Sequence, residues 1–408
     1  MPSFNVIPTG RLPLLATFCV TAAVLIACGG GGSDSSNASG NTASASGTSF
    51  ASGPITGFGS VIVNGVRFDD SGATVSDDDA VAHLKDDLKL GMVAEVDGSG
   101  IVSDDQGGRR GLARAIVFRS EVVGPVDSVD KAARTLSVLG QVVEVTDTTV
   151  FDNRLSSGLD IVHAGDVVVV YGTLDRTTGH YTATRIEPKP NAPWFKLRGV
   201  VAGLDTTAHT LEIGGQVISF AGLAGGQVPS DLANGQVIRA RLRTTQVAGE
   251  WVATWLQNGA RHVEDHDRAE VKGRVTAFTS SAQFSVDGMP VDASKAVFPQ
   301  GVASVVLGAR VEVEGRAVAG VIIAAKVSVE TEDDARHGRF ELHGAVSGVD
   351  GTAKTFLLRG LAVSFADPAV QFKDGVASDL ANGRQVEVKG ALSVDGTRVV
   401  AQTIEFKR

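Results

Sequence analysis

Residues 230–242 read SDLANGQVIRARL, and residues 378–390 read SDLANGRQVEVKG, 148 positions further along the chain. A related segment, VVLGARVEVEG, lies about midway between them, at residues 305–315. Two earlier segments continue the series toward the N-terminus, LKLGMVAEVDG at 88–98 and HAGDVVVVYG at 163–172. The spacing predicts tandem repeats of about 70–75 residues, a longer period than that of solenoid repeats.

Two other glycine positions recur with the same period. One lies inside alternating apolar sequence, at Gly65, Gly140, Gly215, Gly288 and Gly360. The other opens each unit, at Gly53, Gly124, Gly199, Gly273 and Gly344. We therefore predict five copies, at residues 53–122, 123–193, 194–269, 270–338 and 339–408. Each copy is long enough to bury a small core of its own.

Each copy is predicted to fold as a strand followed by two hairpins. Asn64-Gly65 and Asp287-Gly288 predict type I′ turns, in which both central residues have positive φ. Leu139-Gly140 and Arg359-Gly360 place a bulky residue first, which predicts a type II turn or a bulge instead. Four or five strands in about 70 residues favour an all-β fold of OB-like β-barrels over an immunoglobulin-like sandwich, which needs about 100 residues.

The segments between copies are polar or rich in proline. EPKPNAP at residues 187–193 predicts a stiff linker, and the charged stretches 261–270 and 330–339 separate the later copies. These junctions predict bead-like domains arranged as a semi-rigid rod.

The N-terminus predicts an export signal and a lipid anchor. Arg11 precedes an apolar run at residues 12–27 that is short for a membrane helix and suits the core of a secretory signal peptide, residues 1–27. Leu25-Ile26-Ala27-Cys28 resembles the bacterial lipobox, which implies lipidation of Cys28. Two or three acyl chains would hold the protein on a membrane without crossing it.

Residues 28–52 then predict a flexible tether, because they are rich in glycine and serine. Gly29, directly after the cysteine, resembles lipoproteins forwarded to the bacterial outer membrane. The expected location is therefore the cell envelope, on the periplasmic face or the cell surface.

Composition restricts the function classes. A net charge of −9 disfavours nucleic acid as a partner, since nucleic acid is held by clustered Lys and Arg. The two cysteines are Cys19 and Cys28, so the repeats contain no disulfide, thiolate metal site or cysteine nucleophile. We also expect no cofactor.

The first copy reads GPITGFGSVIVNGVRFD at residues 53–69 and LKLGMVAEVDGSG at 88–100. It resembles the domain of unknown function 5666, an uncharacterised repeat domain of bacterial lipoproteins. The match is carried by Gly57, Phe58, Gly59, Ser60, Asn64, Gly65, Val66, Phe68, Gly91, Met92, Val93 and Gly98. The other copies keep the glycine pattern and lack Gly-Phe-Gly-Ser. The resemblance implies an envelope lipoprotein and implies no activity.

Two groups of side chains are candidate metal sites. His262 and His266, with acidic residues between them, are candidate metal ligands, although polar linkers of this kind are usually just solvated. In the first copy, seven aspartates fall close together, at positions 69, 70, 77, 78, 79, 86 and 87. They predict either a calcium site or a solubilising acidic edge, since their spacing matches no calcium-loop pattern.

Trp251 and Trp255 are the candidate ligand-binding residues. They lie four positions apart on a predicted strand, so both are expected on its outer face, as a platform for sugar rings or apolar ligands. The alternative is that they cover a domain junction or cap a barrel.

The sequence favours a non-catalytic envelope lipoprotein that binds a glycan or a protein partner or acts as a scaffold, because repeated weak sites gain avidity. The alternative is a hydrolase or metal-dependent enzyme acting on envelope polymers. That enzyme would need a carboxylate pair or a metal-bound water in one copy.

Overall fold

The computed structural model describes residues 47–103, 108–176, 178–259, 261–330 and 340–407. Within these ranges the chain forms β-strands, turns and short 3₁₀ helices, which confirms the all-β prediction. The predicted signal peptide 1–27 and Cys28 lie outside the described residues. None of the helices in the described part of the chain is long and apolar enough to cross a membrane.

The described strands form five barrels in chain order. Barrel 1 contains β1 (Thr48–Phe58), β2 (Val61–Val63), β3 (Val66–Asp69), β4 (Thr74–Asp77), β5 (Ala82–His83), β6 (Val93–Ser99), β7 (Val102–Ser103) and β8 (Arg109–Arg119). Barrel 2 contains β9 (Val122–Asp130), β10 (Thr135–Val138), β11 (Gln141–Phe151), β12 (Val167–Leu174) and β13 (Tyr181–Pro188). Barrel 3 contains β14 (Phe195–Val200), β15 (Ala202–Asp205), β16 (Thr210–Ile213), β17 (Gln216–Ser219), β18 (Val237–Leu242) and β19 (Trp251–Asn258).

Barrels 4 and 5 complete the series. Barrel 4 contains β20 (His266–Ser280), β21 (Gln283–Val286), β22 (Met289–Asp292), β23 (Arg310–Val318) and β24 (Val321–Val329). Barrel 5 contains β25 (Phe340–Asp350), β26 (Thr355–Leu358), β27 (Leu361–Ser364), β28 (Gln371–Lys373), β29 (Gln385–Leu392) and β30 (Arg398–Phe406). A 3₁₀ helix precedes the fourth main strand of each barrel, at Lys85–Asp87, Gly158–Ile161, Gly225–Gln227, Val302–Ser304 and Ala377–Asp379.

Every barrel closes with one strand order. In barrel 2, β9 pairs with β10, β10 with β11, β11 runs parallel to β13, and β13 pairs with β12, which returns to β9. The other four barrels repeat this pattern. This five-stranded Greek-key closure is that of the OB fold, so the OB-like barrel prediction is confirmed.

The turn between the second and third main strands differs from the prediction in two copies. Leu139 (φ 50°) and Arg359 (φ 50°) have positive φ, as do the glycines that follow them, so both turns have the φ signs of type I′. The prediction of type II turns or bulges was wrong. Tertiary contacts hold these residues in place: Leu139 is buried, and the Arg359 Nε donates to the His343 carbonyl at 3.1 Å.

The glycine that opens each copy lies beneath this turn. A Cβ at Gly124 would lie 2.4 Å from the Leu139 Cγ, and a Cβ at Gly199 would lie 2.3 Å from the Ile213 Cγ2. At Gly273 it would lie 2.1 Å from the Asp287 Oδ2. The glycine that opens each copy and the turn at the second recurring glycine therefore mark one contact, in which the hairpin closes over the first strand.

A second contact explains the glycine that ends the repeated segments, such as Gly98 in LKLGMVAEVDG and Gly172 in HAGDVVVVYG. A Cβ at Gly172 would lie 2.2 Å from the Thr182 carbonyl oxygen on the neighbouring strand. The register shifts at the same point, between Tyr171 and Gly172, because the partner strand carries an extra residue. Equivalent shifts occur in all five barrels. The glycine thus marks a β-bulge that bends the strand pair.

The barrels contact one another out of sequence order. Strand β1 of barrel 1 runs parallel to β20 of barrel 4 at residues 49–52 and to β25 of barrel 5 at residues 57–58. Between consecutive barrels, β9 pairs with β14. The cores also merge: apolar residues of barrels 1 and 5 form one cluster, and those of barrels 2 and 3 another. A rod of separate beads, in which each copy meets only its sequence neighbours, does not describe this structure.

Two predicted boundaries shift as well. Residues 48–52 were assigned to the tether, but they begin β1, where Ser49 and Ala51 are fully buried. Pairing with both β6 and β20 outweighs the glycine and serine composition of this segment. Barrel 4 begins at His266, four residues before the predicted boundary at 270.

Candidate ligand-binding cleft

Aspartates of barrel 1 fix the position of barrel 3. Asp78, whose side chain is 3% exposed, forms ion pairs with Lys196 and Arg239. Asp79 pairs with Arg241 at 3.2 Å. Burial acts to raise the pKa of Asp78, but the two cations outweigh it, and the pKa lies below its usual value. Two of the clustered aspartates thus have a use that the sequence did not predict, since their partners lie more than 100 residues away.

A buried ion triplet joins the segment between barrels 1 and 2 to barrel 3 and to the segment that follows barrel 3. Glu121, 1% exposed, accepts from Arg198 at 2.7 Å and lies 3.4 Å from Arg261. Burial raises the pKa of Glu121, and the charges of Arg198 and Arg261 more than offset it, so the carboxylate stays ionised. Breaking such a buried pair is costly, because it leaves a charge without a partner.

A cleft of about 450 Å³ lies where barrels 1, 2 and 3 meet. Its apolar floor includes Met92, Phe118, Val169 and Tyr171. Charged side chains surround the floor: Asp77, Asp78, Asp79, His83, Asp87, Lys89, Asp152, Arg154, Glu187, Lys189 and Lys196. Trp194 also lines the cleft and is 36% exposed. Clefts of this size, with an apolar base and polar groups converging on it, are typical of small-ligand sites.

His83 lies between two carboxylates at the edge of the floor. Its Nε2 is 3.2 Å from the Asp77 Oδ2, and its Nδ1 is 3.5 Å from the Asp87 Oδ2. The imidazole meets the Phe118 ring edge to face at 4.8 Å, and Phe118 in turn contacts Tyr171. Burial raises the pKa of Tyr171 well above its usual value, so its phenol stays neutral. The floor is therefore aromatic, and its rim is ionic.

A larger cleft of about 580 Å³ lies between barrels 2 and 5. The cations that line it are paired: Lys131 with Asp160 at 3.7 Å, Arg398 with Asp395 at 3.3 Å, and Arg134 with Asp147. Its aromatic side chain, Phe151, is buried and 2% exposed. It offers neither an exposed aromatic ring nor a cation without a carboxylate partner, so the smaller cleft is the better candidate.

The predicted pair of tryptophans does not form a shared outer face. Trp251 is 8% exposed and packs in the barrel core, where its Nε1 donates to the Gln216 Oε1 at 3.0 Å. Trp255 is partly exposed and lies beside Arg239 and Arg241. The β-bulge in β19 leaves Thr254 opposite no partner, so side-chain alternation reverses between the two tryptophans. Residues an even number of positions apart lie on the same face of a strand only when the strand is regular.

The two predicted metal ligands, His262 and His266, lie in different environments. His266 is 7% exposed, with its Nε2 3.1 Å from the Asp97 Oδ2 and its Nδ1 2.8 Å from the Glu264 carbonyl. His262 is exposed. In the described ranges, the compact group of potential metal ligands is instead Glu341, His343 and Glu387, to which neither histidine belongs.

This group is better explained by an ion-pair network between barrels 1 and 5. Glu341 pairs with Arg67 of barrel 1, while Glu387 pairs with Lys389 at 3.0 Å and Lys407 at 2.8 Å. Burial acts to raise the pKa of Glu341, but hydrogen bonds from His343 and Arg67 lower it to about 2. The carboxylates already have cationic partners that a metal ion would have to displace.

The Gly-Phe-Gly-Ser stretch lies at the same seam. A Cβ at Gly57 would lie 2.4 Å from the Glu341 carbonyl oxygen, and a Cβ at Gly59 would lie 2.5 Å from the His343 Cγ. Phe58 lies 4.9 Å beneath the Arg359 guanidinium. Barrel 1 alone uses this strand to pair with barrel 5, which accounts for the absence of the motif from the other copies.

Comparisons with curated proteins and solved structures add little to the description of this chain. No curated protein matches the sequence. A solved structure described as "drosophila Unr CSD456" is 13% identical, with 52% of this chain and 97% of that chain covered and a TM-score of 0.13. At that score the likeness adds nothing to the fold assignment, which rests on the strand order.

A family model does match, the domain of unknown function (DUF5666), at residues 123–187, 272–328 and 343–405. These ranges fall within barrels 2, 4 and 5, whereas the residues that carried the resemblance in the sequence lie in barrel 1. The family match therefore does not depend on the Gly-Phe-Gly-Ser stretch, which the three matched copies lack. Three regions of this repeat protein therefore match the DUF5666 domain of unknown function.

Proposed function

We propose that the protein is a non-catalytic, lipid-anchored lipoprotein of the bacterial cell envelope that binds a glycan in the cleft between barrels 1, 2 and 3. The observation that carries the proposal is the cleft itself, in which the Trp194 indole stands beside a rim of charged groups. Aromatic rings and polar groups together suit a sugar, whose ring has an apolar face and a hydroxyl edge.

The rigidity of the cleft supports this role. Its walls come from three barrels held together by Asp78, Asp79 and Glu121 with their cationic partners. A site whose walls are fixed before binding loses less entropy when the ligand arrives.

The carboxylates of the cleft support binding over hydrolysis. A glycosidase needs one carboxylic acid whose pKa is raised so that it can donate a proton. Burial acts to raise the pKa values of Asp78 and Asp152, but their cationic partners outweigh it and lower both. Among the residues that the structure describes, the carboxyl groups with raised pKa values are Glu270 (about 7) and Asp287 (about 6), and they line neither cleft.

Membrane attachment rests on Cys28 at the end of the apolar N-terminal segment. We expect the wild-type protein to fractionate with the outer membrane and the Cys28→Ser variant to lose membrane association. A Cys28→Ser variant that stays on the membrane would overturn the lipid-anchor proposal.

Ligand binding is tested by titrating the mature chain with purified peptidoglycan fragments and exopolysaccharide oligomers, using intrinsic fluorescence and calorimetry. A saturable signal should weaken strongly in Trp194→Ala. Trp255→Ala is the matched control, because Trp255 belongs to the same barrel and does not line the cleft. Equal losses in the two variants, or no binding by a folded chain, would refute the site.

A further inference from the structure

The charges that line the cleft between barrels 1, 2 and 3 are not equally paired. All six of its carboxylates have a basic side-chain partner: Asp77 and Asp87 contact His83, Asp78 contacts Lys196 and Arg239, Asp79 contacts Arg241, and Asp152 and Glu187 contact Arg185. The negative charges of Asp78, Asp79, Asp152 and Glu187 are therefore compensated by lysine and arginine within the protein.

Two cations of the same cleft lack such a partner. In the part of the chain that the structure describes, neither Lys89 nor Lys189 forms an ion pair with a carboxylate. The Lys89 amine donates to the carbonyl of Asp86, which leaves its charge uncompensated. Lys189 is exposed, just after β13. The two amines belong to different barrels, so the cleft carries uncompensated positive charge from two of its walls.

We propose that the cleft selects acidic saccharides, in which a carboxylate or phosphate group on the sugar pairs with Lys89 and Lys189. This inference rests on the glycan-binding function proposed above and deepens it. Trp194 and the aromatic floor contact the apolar face of the sugar, and the two lysines contact its acidic group. Lysine suits this role, since its ammonium is a compact charge on a flexible stem that can follow the anion.

The larger cleft between barrels 2 and 5 provides the comparison. Its cations Lys131, Arg134 and Arg398 each have a carboxylate partner within the protein. An anion there would compete with an existing ion pair. Lys131 is therefore a matched control, with a side chain that is 54% exposed and stands in a cleft that is not proposed to select acidic sugars.

The test compares three probes on the mature full-length chain: an oligogalacturonate, a hexose 1-phosphate and a neutral glucan oligomer. We expect the oligogalacturonate or the sugar phosphate to bind at least about tenfold more tightly than the neutral oligomer at low salt, with a preference that falls as salt rises. Whichever of the two acidic probes binds more tightly identifies the acidic group as carboxylate or phosphate.

Lys89→Met and Lys189→Met should each weaken acidic-probe binding by about threefold to fivefold and neutral-probe binding by less, while Lys131→Met changes neither. Near-ultraviolet circular dichroism verifies that each variant is folded. Equal affinity for acidic and neutral probes, or equal losses in Lys131→Met, would overturn the charge selectivity and leave glycan binding intact. Failure of every saccharide to bind would overturn both proposals.

Discussion

Replacing Gly199 with alanine tests the contact that links two of the sequence landmarks. The new methyl group would lie 2.3 Å from the Ile213 Cγ2, and Ile213 is 1% exposed. Carbon atoms in contact stand about 3.5–4.0 Å apart, so these two must separate by more than about 1 Å inside a packed core. Overpacking of this kind destabilises proteins by about 1–3 kcal/mol, and we expect Gly199→Ala to lose that amount.

The assay is urea unfolding of the mature chain followed by tryptophan fluorescence. All three tryptophans lie at residues 194–255, so the signal reports on barrel 3 even though five barrels need not unfold together. Gly222→Ala is the matched control, because an added Cβ there meets nothing within 4 Å. We expect that variant to be neutral or slightly stabilised.

A second background isolates the contact. Ile213→Ala removes the Cγ2 atom that the new methyl group would meet, at a cost of about 2–5 kcal/mol by itself. In that background Gly199→Ala should cost much less than in the wild type, which appears as coupling between the two sites. Equal costs in both backgrounds, or a Gly199→Ala variant as stable as Gly222→Ala, would refute the reasoning.

Three other predictions concern the buried polar groups and the barrel seam. Burial raises the pKa of Asp287 to about 6, so the folded state binds the proton of this carboxyl group more tightly than the unfolded state does. The contribution of Asp287 to stability should therefore fall as pH rises from about 4 to 6. Urea titrations should show that Asp287→Asn reduces this pH dependence by up to about 1.4 kcal/mol per pH unit. Gly59→Ala should open the seam between barrels 1 and 5 and increase amide exchange in β25, whereas Gly72→Ala, where an added Cβ meets nothing within 4 Å, should not. Trp251→Phe removes a buried hydrogen-bond donor and should lower the free energy of unfolding by about 1 kcal/mol, measured by circular dichroism. Trp255→Phe should lower it by less. Equal losses in the two variants would contradict the assignment of Trp251 to the core and Trp255 to the surface.

Much of the candidate site was beyond prediction from sequence. The aspartate cluster, Trp194 and the lysines were visible as residue types, but their partners lie in other barrels. Asp78, for example, meets Lys196 across 118 positions of sequence. No periodicity encodes that distance, because it depends on which barrel surfaces pack together.

The copy number and the barrel followed from the sequence alone, because they depend on local chemistry. Turns that need positive φ, bulges that leave no room for a Cβ and strands that alternate apolar residues all leave a mark within one copy. The tertiary structure decided the rest: the out-of-order pairing of β1 with barrels 4 and 5, the burial of Trp251 and the cleft between barrels 1, 2 and 3. Each of these arises from contacts between segments far apart in the chain, where the packing of one surface on another sets which side chains meet.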